Sequence, residues 1–142
     1  DAIALIPSEA VQQRLVERLA DGTGAAFHHA RYSMVAYPFG TRYQNSNQWV
    51  LEVMAEALAD QHFTGRGEAQ QWLRDNGYTP TTLPVPALSR LGGRMFKANI
   101  AFDDHPTDRR MNGQIDTVTV ESLAAFLTKK DPESKRLVIR LQ

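Results

Sequence analysis

Residues 49–59 form an apolar stretch whose spacing fits an α-helix. On a helical wheel the apolar side chains cover an arc of roughly 240°. The acidic residues Glu52, Glu56 and Asp60 form a narrow stripe on the remaining face, and the stretch contains no glycine or proline. The pattern therefore predicts a central helix that is buried over most of its surface.

Three residues that favour a helix start, Asn45, Ser46 and Asn47, precede this helix. Ser46 stands at the positive end of the helix dipole, where an anion or a developing oxyanion is stabilised. Extending the wheel back by one turn points Ser46 into the apolar arc rather than towards water. Two hypotheses follow. Ser46 is either an ordinary N-cap, in which case Ser46→Ala costs about 1 kcal/mol, or a nucleophile.

The rest of the chain alternates between helical and extended patterns. Amphipathic periods and capping residues predict helices near 9–20, 68–76, 86–95 and 120–130, with Ser8 and Thr119 as N-caps. Extended segments are predicted at 2–6, 31–37, 115–120 and 137–141, residues 23–30 are predicted as a loop, and the proline-rich segment 78–86 as an extended connection. The period of 96–102 fits a helix or a strand equally well. The expected fold class is α+β with about four helices and few strands.

Composition limits the classes of function. The 142 residues are 42% hydrophobic and 23% charged, which predicts one globular domain over 1–142 with a sizeable core. Sixteen basic residues balance sixteen acidic ones, so no global field attracts nucleic acid. The absence of cysteine excludes disulfides, thiolate metal ligands and a cysteine nucleophile within this chain. No apolar run reaches the roughly 18 residues of a membrane span.

Two groups of polar residues are candidates for site chemistry. His28 and His29 are adjacent, and Asp104 and His105 belong to an Asp-Asp-His-Pro segment. Consecutive side chains rarely converge on one ion, so neither group predicts a metal site, and no cofactor is expected. The first pair is interpreted as solvated loop histidines. The second is interpreted as a polar turn before proline, or as a place where carboxylates set the pKa of a histidine.

Four segments of the chain, in this order, resemble an uncharacterised proteobacterial family of secreted proteins. Their sequences are RYSMVAYP at 31–38, YQNSNQW at 43–49, ANIAFDDHP at 98–106 and TVTV at 117–120. The chain is also distantly similar to the permuted papain-like superfamily, including NlpC-like amidases and the lecithin:retinol acyltransferase group. In those proteins a histidine-bearing strand precedes an Asn-Cys pair that opens a helix, and Asn45-Ser46 takes the place of that pair.

The resemblance implies a papain-like half in which a central buried helix packs on a small antiparallel sheet. It also implies a periplasmic or secreted protein whose upstream part carries a signal peptide and the histidine strand. This chain is then the C-terminal part of a longer protein, and the missing N-terminal half is its first partner. The apolar segment 2–6 agrees, because a core strand at a chain end needs a partner strand from elsewhere.

Three functional hypotheses follow from this resemblance. The first is an amide or ester hydrolase or acyltransferase of the cell-wall type that uses Ser46. The second is a catalytically degenerate binding protein, and the third is a cell-envelope structural subunit that is ordered only with its other half or in an assembly. Cell-envelope proteins and peptidoglycan are the further candidate partners. The second is favoured because serine replaces cysteine and none of the four histidines matches the upstream histidine of the family. The candidate binding residues are Asn45, Asn47, Tyr43, Trp49, Tyr37, Asp104 and His105, with Tyr32 completing an aromatic wall.

Overall fold

The computed structural model describes residues 2–88 and 99–140, and within these ranges the fold is mixed α+β. This confirms the predicted fold class. The elements in chain order are β1 (Ala2–Ile6), α1 (Glu9–Ala20), α2 (Thr23–Phe27), α3 (Ser46–Ala59), α4 (Arg66–Asp75), β2 (Thr81–Pro84), α5 (Val85–Leu88), α6 (Thr107–Met111), β3 (Gln114–Thr117), α7 (Val120–Lys130) and β4 (Lys135–Ile139). The predicted helix over 86–95 begins as α5, and its remainder lies outside the described residues.

Helix α3 is the centre of the core, as its apolar arc predicts. Its residues Leu51, Val53 and Ala55 belong to a buried cluster that also takes side chains from α2, α4 and α7. Leu5 of β1 packs against the same cluster. A helix that is apolar over most of its circumference is stable only when several elements cover it, and α3 is covered in this way.

Over residues 2–88 and 99–140, the strands form two separate two-stranded antiparallel sheets. In one, β1 pairs with β4 so that Ala2 lies opposite Ile139. In the other, β2 pairs with β3 so that Thr81 lies opposite Thr117. The segment 31–37, predicted to be extended, has a single bridge, which joins Tyr32 to Gln44. It is an extended loop beside α3 rather than a strand.

Local capping chemistry explains where α1 and α7 begin. The Ser8 hydroxyl accepts from Val11 N, and Thr119 and Ser122 form a reciprocal capping box. Both predicted caps are confirmed. The loop predicted over 23–30 is wrong, because residues 23–27 form α2. Gly22 adopts a φ of +92° that turns the chain, and the indole of Trp49 donates a hydrogen bond to Gly24 O at 2.8 Å.

Two residues of the acidic stripe of α3 are buried, with Glu52 fully enclosed and Glu56 1% exposed, whereas Asp60 is exposed. Both oxygens of Glu52 accept hydrogen bonds from Arg66, at 2.8 and 3.1 Å, and the amides of Gln44 and Gln70 each donate at 2.7 Å. Glu56 lies 2.9 Å from the guanidinium of Arg18. Buried carboxylates persist when they are paired and hydrogen-bonded, and these pairs tie α3 to α4 and to α1.

None of the helices in the described ranges is long and apolar enough to span a membrane.

Candidate functional site

The segments that carry the resemblance meet in one hydrogen-bond network at the start of α3. The loop 31–38 is joined to the segment before α6 through Met34 N, which donates to Asn99 O at 2.7 Å. The buried hydroxyl of Ser33 donates to Ala101 O and accepts from Ala101 N, at 3.2 and 3.1 Å. The loop is therefore held along its backbone by residues about 65 positions later.

The side chains of Asp104 and His105 contact the backbone of the same loop and are almost completely buried. Asp104 Oδ2 accepts from Tyr37 N at 2.7 Å. His105 Nε2 lies 2.7 Å from Val35 O, and because a carbonyl only accepts, Nε2 carries the proton. Burial raises the pKa of the Asp104 carboxyl, and the hydrogen bond from Tyr37 N opposes this. These two candidate residues thus contact the protein backbone, at a turn buried beneath the loop.

Asn45 joins the loop, α3 and β3. Its Oδ1 accepts from Gln48 N at 2.7 Å, which makes Asn45 the N-cap of α3. Its amide nitrogen lies within hydrogen-bonding distance of Met34 O and Thr117 Oγ1, both at 3.1 Å. Asn47 contacts the same region, because its amide donates to Val118 O at 3.3 Å.

The prediction that Ser46 caps α3 and points into the apolar arc is wrong on both counts. Asn45 holds the capping position, and Ser46 is the first helical residue with an exposed side chain. Val50, one turn further along α3, is also exposed. In the part of the chain that the structure describes, this edge of the first turn is left open although Gln48 on the same turn is buried. A helical wheel cannot show which side of a helix end is covered.

The exposed edge of α3 forms one side of a cleft of about 180 Å³. Ser46 lies in this cleft together with both His28 and His29, which sequence reasoning had treated as solvated loop residues. Helix α2 and the turn at Gly22 return the chain to the start of α3, so the histidine pair lies beside the serine. No local signal in the sequence predicts this meeting. The lining residues are His28, His29, Tyr32, Gln44, Asn45, Ser46 and Trp49.

We call this depression the α3 cleft. Hydrogen bonds orient one of its two histidines, His29. His29 Nε2 lies 3.0 Å from Arg42 O, so it donates, and in the neutral ring Nδ1 is left as an acceptor. His29 N donates to Gln44 Oε1 at 2.9 Å. Among the described residues, the hydroxyl of Ser46 has no hydrogen bond and no carboxylate pairs with His28 or His29. The side chains of a serine–histidine pair are present, without the hydrogen bond between them.

The predicted aromatic wall is divided between different surroundings. Trp49 and Tyr32 line the α3 cleft. The ring of Tyr37 packs on Phe39 and His105, with centroids 5.9 and 5.4 Å apart, and burial raises the pKa of its hydroxyl. The guanidinium groups of two surface arginines, Arg31 and Arg42, lie 5.2 and 5.8 Å from the centroid of the Tyr43 ring.

Within the described residues, no three histidine or acidic side chains are grouped closely enough to hold a metal ion.

Comparison with known proteins identifies one family. A family model described as "Uncharacterized protein conserved in bacteria (DUF2145)" matches residues 1–127. No curated protein and no solved structure matches the chain.

Proposed function

The chain belongs to the DUF2145 family of uncharacterised bacterial proteins, and we propose that it is an exported, papain-like binding protein that does not turn over its ligand. The α3 cleft takes an amide- or ester-bearing group, of the kind that a cell-wall peptide presents. One observation carries this proposal. Ser46 shares the cleft with His28 and His29, yet its hydroxyl is hydrogen-bonded to neither among the described residues.

The cleft offers the groups that hold a carbonyl. The backbone N–H groups of Ser46 and Asn47 have no acceptor among the described residues, and they stand at the positive end of a 14-residue helix. Tyr32 and Trp49 supply apolar walls. The volume is below the range of about 300–1,000 Å³ that is usual for small-molecule pockets. The cleft therefore fits one residue of an extended ligand, with the remainder lying on the surface.

Turnover demands more than these groups provide. A serine hydroxyl is a weak nucleophile until a base hydrogen-bonded to it removes its proton, and a third group normally orients that base. Here a backbone carbonyl, Arg42 O, orients His29. Cysteine in the same position would be partly ionised near neutral pH without such help, so the replacement by serine favours binding over catalysis.

Hydrolysis is the second candidate function, and the orientation of His29 favours it. With Nε2 donating to Arg42 O, Nδ1 is free to accept the Ser46 proton as Oγ attacks a carbonyl carbon. The amine or alcohol then leaves with that proton, and water cleaves the acyl–serine ester to release the acid. This sequence requires Ser46 and His29 to move into hydrogen-bonding contact when substrate binds.

A labelling experiment separates the two candidates. We expect a fluorophosphonate probe to leave Ser46 unmodified by mass spectrometry, because no base activates the hydroxyl. We also expect the Trp49 indole signal to shift in an NMR titration with the neutral peptide Ac-Ala-Ala-NHMe, and Ser46→Phe to abolish this shift by filling the cleft. Val16→Phe is the control, since Val16 is exposed on α1. A stoichiometric adduct on Ser46 that His29→Ala removes establishes the hydrolase instead. No adduct and no shift contradict both candidates.

The proposal has two further parts. The protein is exported, and a partner covers the two-stranded β1–β4 sheet, which we call the ribbon. The resemblance to secreted proteins supports a periplasmic or extracellular location. The ribbon exposes apolar side chains. About half of the surface of Leu137, Val138 and Ile139 is exposed, and Ile3 is 40% exposed. A two-stranded ribbon is marginal by itself, and open apolar edges normally pair. We assign the cover to strands from the N-terminal half of the same protein.

Thiol labelling in intact bacteria tests both parts at once, because the chain has no cysteine of its own. The longer protein carries either Val16→Cys, on the exposed surface of α1, or Leu137→Cys, on the ribbon. With a maleimide that does not cross the inner membrane, we expect Val16→Cys to react and Leu137→Cys to be protected. Reaction of both variants only after lysis contradicts export. Equal reaction of both in intact cells contradicts the covered ribbon.

A further inference from the structure

The two tryptophans of the chain mark different depressions of the surface. Trp49 belongs to the α3 cleft. Trp72 belongs to an open groove of about 330 Å³ between α4 and the α3–α4 connection. Aromatic, acidic and amide side chains line this groove, namely Gln61, His62, Phe63, Glu68, Gln71, Trp72 and Asp75. We call it the Trp72 groove.

The groove has a regular construction on one helix face. Glu68, Gln71, Trp72 and Asp75 stand at positions i, i+3, i+4 and i+7 of α4, so their side chains are neighbours along a single stripe. Phe63 adds a second aromatic ring from the connection. The two carboxylates therefore lie one on each side of the indole along the helix axis.

Each carboxylate has one oxygen in use and one available. Glu68 Oε2 accepts from Thr64 N at 2.8 Å, and Asp75 Oδ1 accepts from Gln71 Nε2 at 2.8 Å. Their other oxygens have no partner in the part of the chain that the structure describes. No lysine or arginine is among the described residues that line the groove, and its histidine, His62, places Nδ1 3.0 Å from Glu56 Oε1. The groove thus has two negative charges without a matching cation in its lining.

The indole ring already attracts a cation from outside the lining. Lys130 Nζ lies 5.8 Å from the centroid of the Trp72 ring and donates to Asn76 Oδ1 at 2.9 Å. An ammonium at this distance interacts favourably with the quadrupole of an aromatic ring. Lys130 is satisfied by Asn76, so it does not occupy the free oxygens of Glu68 and Asp75.

We propose that the Trp72 groove binds an organic cation, the ammonium or guanidinium group of a basic peptide side chain. The cation lies against the faces of Trp72 and Phe63 and donates to the free oxygens of Glu68 and Asp75. Charge favours this ligand over a neutral saccharide, which also uses aromatic rings and carboxylates but gains nothing from two unmatched negative charges. The site is separate from the α3 cleft and does not depend on the function proposed for that cleft.

An NMR titration with the peptide Ac-Lys-Lys-Lys-Lys-NH₂ tests the proposal on the intact chain. Two indole N–H signals are expected, and Trp49→Phe or Trp72→Phe assigns both. We expect a saturable shift of the Trp72 signal only, with affinity that falls as salt rises from 50 to 500 mM, since both carboxylates are exposed. Ac-Arg-Arg-Arg-Arg-NH₂ distinguishes guanidinium from ammonium. N-acetylglucosamine and maltose, as neutral saccharides, are expected to cause no shift.

Isosteric variants separate a local site from general attraction. Glu68→Gln with Asp75→Asn removes both charges and keeps one acceptor at each position, and we expect the affinity for the lysine peptide to fall about tenfold or more. Glu17→Gln with Glu133→Gln removes the same charge from exposed positions outside the groove, and we expect no such fall. Equal losses of affinity in the two double variants overturn the proposal. So does a titration in which the Trp49 signal shifts in place of the Trp72 signal, in which the Trp72 shift does not saturate, or in which only a saccharide causes a shift.

Discussion

Replacing Arg66 by alanine is expected to destabilise the protein by about 3–5 kcal/mol. The substitution leaves Glu52 as a fully buried carboxylate whose remaining partners among the described residues are the amides of Gln44 and Gln70. It also releases the segment before α3, because Arg66 donates to Thr41 O and Tyr43 O at 3.1 and 3.0 Å. The free energy of unfolding, measured with urea, checks the size of the effect.

Two further variants test the physical cause of that loss. Arg42→Ala breaks an ion pair with Asp103 in which both side chains are about half exposed, and we expect it to cost less than about 1 kcal/mol. Glu52→Gln in the Arg66→Ala background removes the uncompensated charge, so we expect it to recover part of the stability. If Arg66→Ala lowers the free energy of unfolding no more than Arg42→Ala does, Glu52 is not a buried charge that depends on Arg66.

Asn45→Ala is expected to cost about 2–4 kcal/mol, of which the cap accounts for about 0.5–2 and the lost donor for the rest. The amide of Asn45 donates into a buried group of acceptors that includes Met34 O and Thr117 Oγ1. Alanine leaves these acceptors without that donor and removes the acceptor for Gln48 N. Because the loop 31–38 loses one of its links to the start of α3, peptide binding in the α3 cleft is expected to weaken as well.

The comparison with Asn45→Asp and Ser46→Ala identifies which function of Asn45 dominates. Aspartate keeps the capping oxygen but places a second oxygen against the acceptors, so we expect no rescue. The side chain of Ser46 is exposed, and its hydroxyl makes no hydrogen bond among the described residues. Ser46→Ala is therefore expected to change stability by less than about 0.5 kcal/mol. Full stability of Asn45→Asp in thermal and urea unfolding would mean that the cap alone matters. A loss of about 1 kcal/mol in Ser46→Ala would indicate that the Ser46 hydroxyl, and not Asn45, is the N-cap of α3.

Features that depend on a few neighbouring residues were predictable from the sequence. Ser8 and Thr119 start their helices as expected, because a cap and the N–H groups that it accepts lie within about three residues of each other. The helix predicted near 68–76 ends as expected, and Gly77, just after it, has the positive φ of +80° that is typical of a helix C-terminus. The apolar arc of α3 predicted its burial, since periodicity reports which side chains lie on one face.

Which of three adjacent capping residues begins α3 depended on the tertiary structure. Asn45, Ser46 and Asn47 are chemically similar as caps. The position of Asn45 is fixed by a distant residue, because its amide hydrogen-bonds Thr117 Oγ1, 72 positions away. The burial of Glu52 in the acidic stripe also depended on the tertiary structure. Whether Glu52 faces water or the interior depends on Arg66, and the pairing of an acid with a base 14 residues away needs the path of the whole α3–α4 connection.

The α3 cleft likewise exists only in the folded chain. Ser46 was a candidate from its place before a helix, but nothing near it in the sequence connects it with His28 and His29. The turn at Gly22 and the short helix α2, which the pattern of residues 23–30 did not predict, bring the histidines to it. Local free energies of capping and helix propensity act over a few residues, so the sequence alone determined where most helices lie. The meeting of distant side chains depends on packing the whole core, and only the tertiary structure decided it.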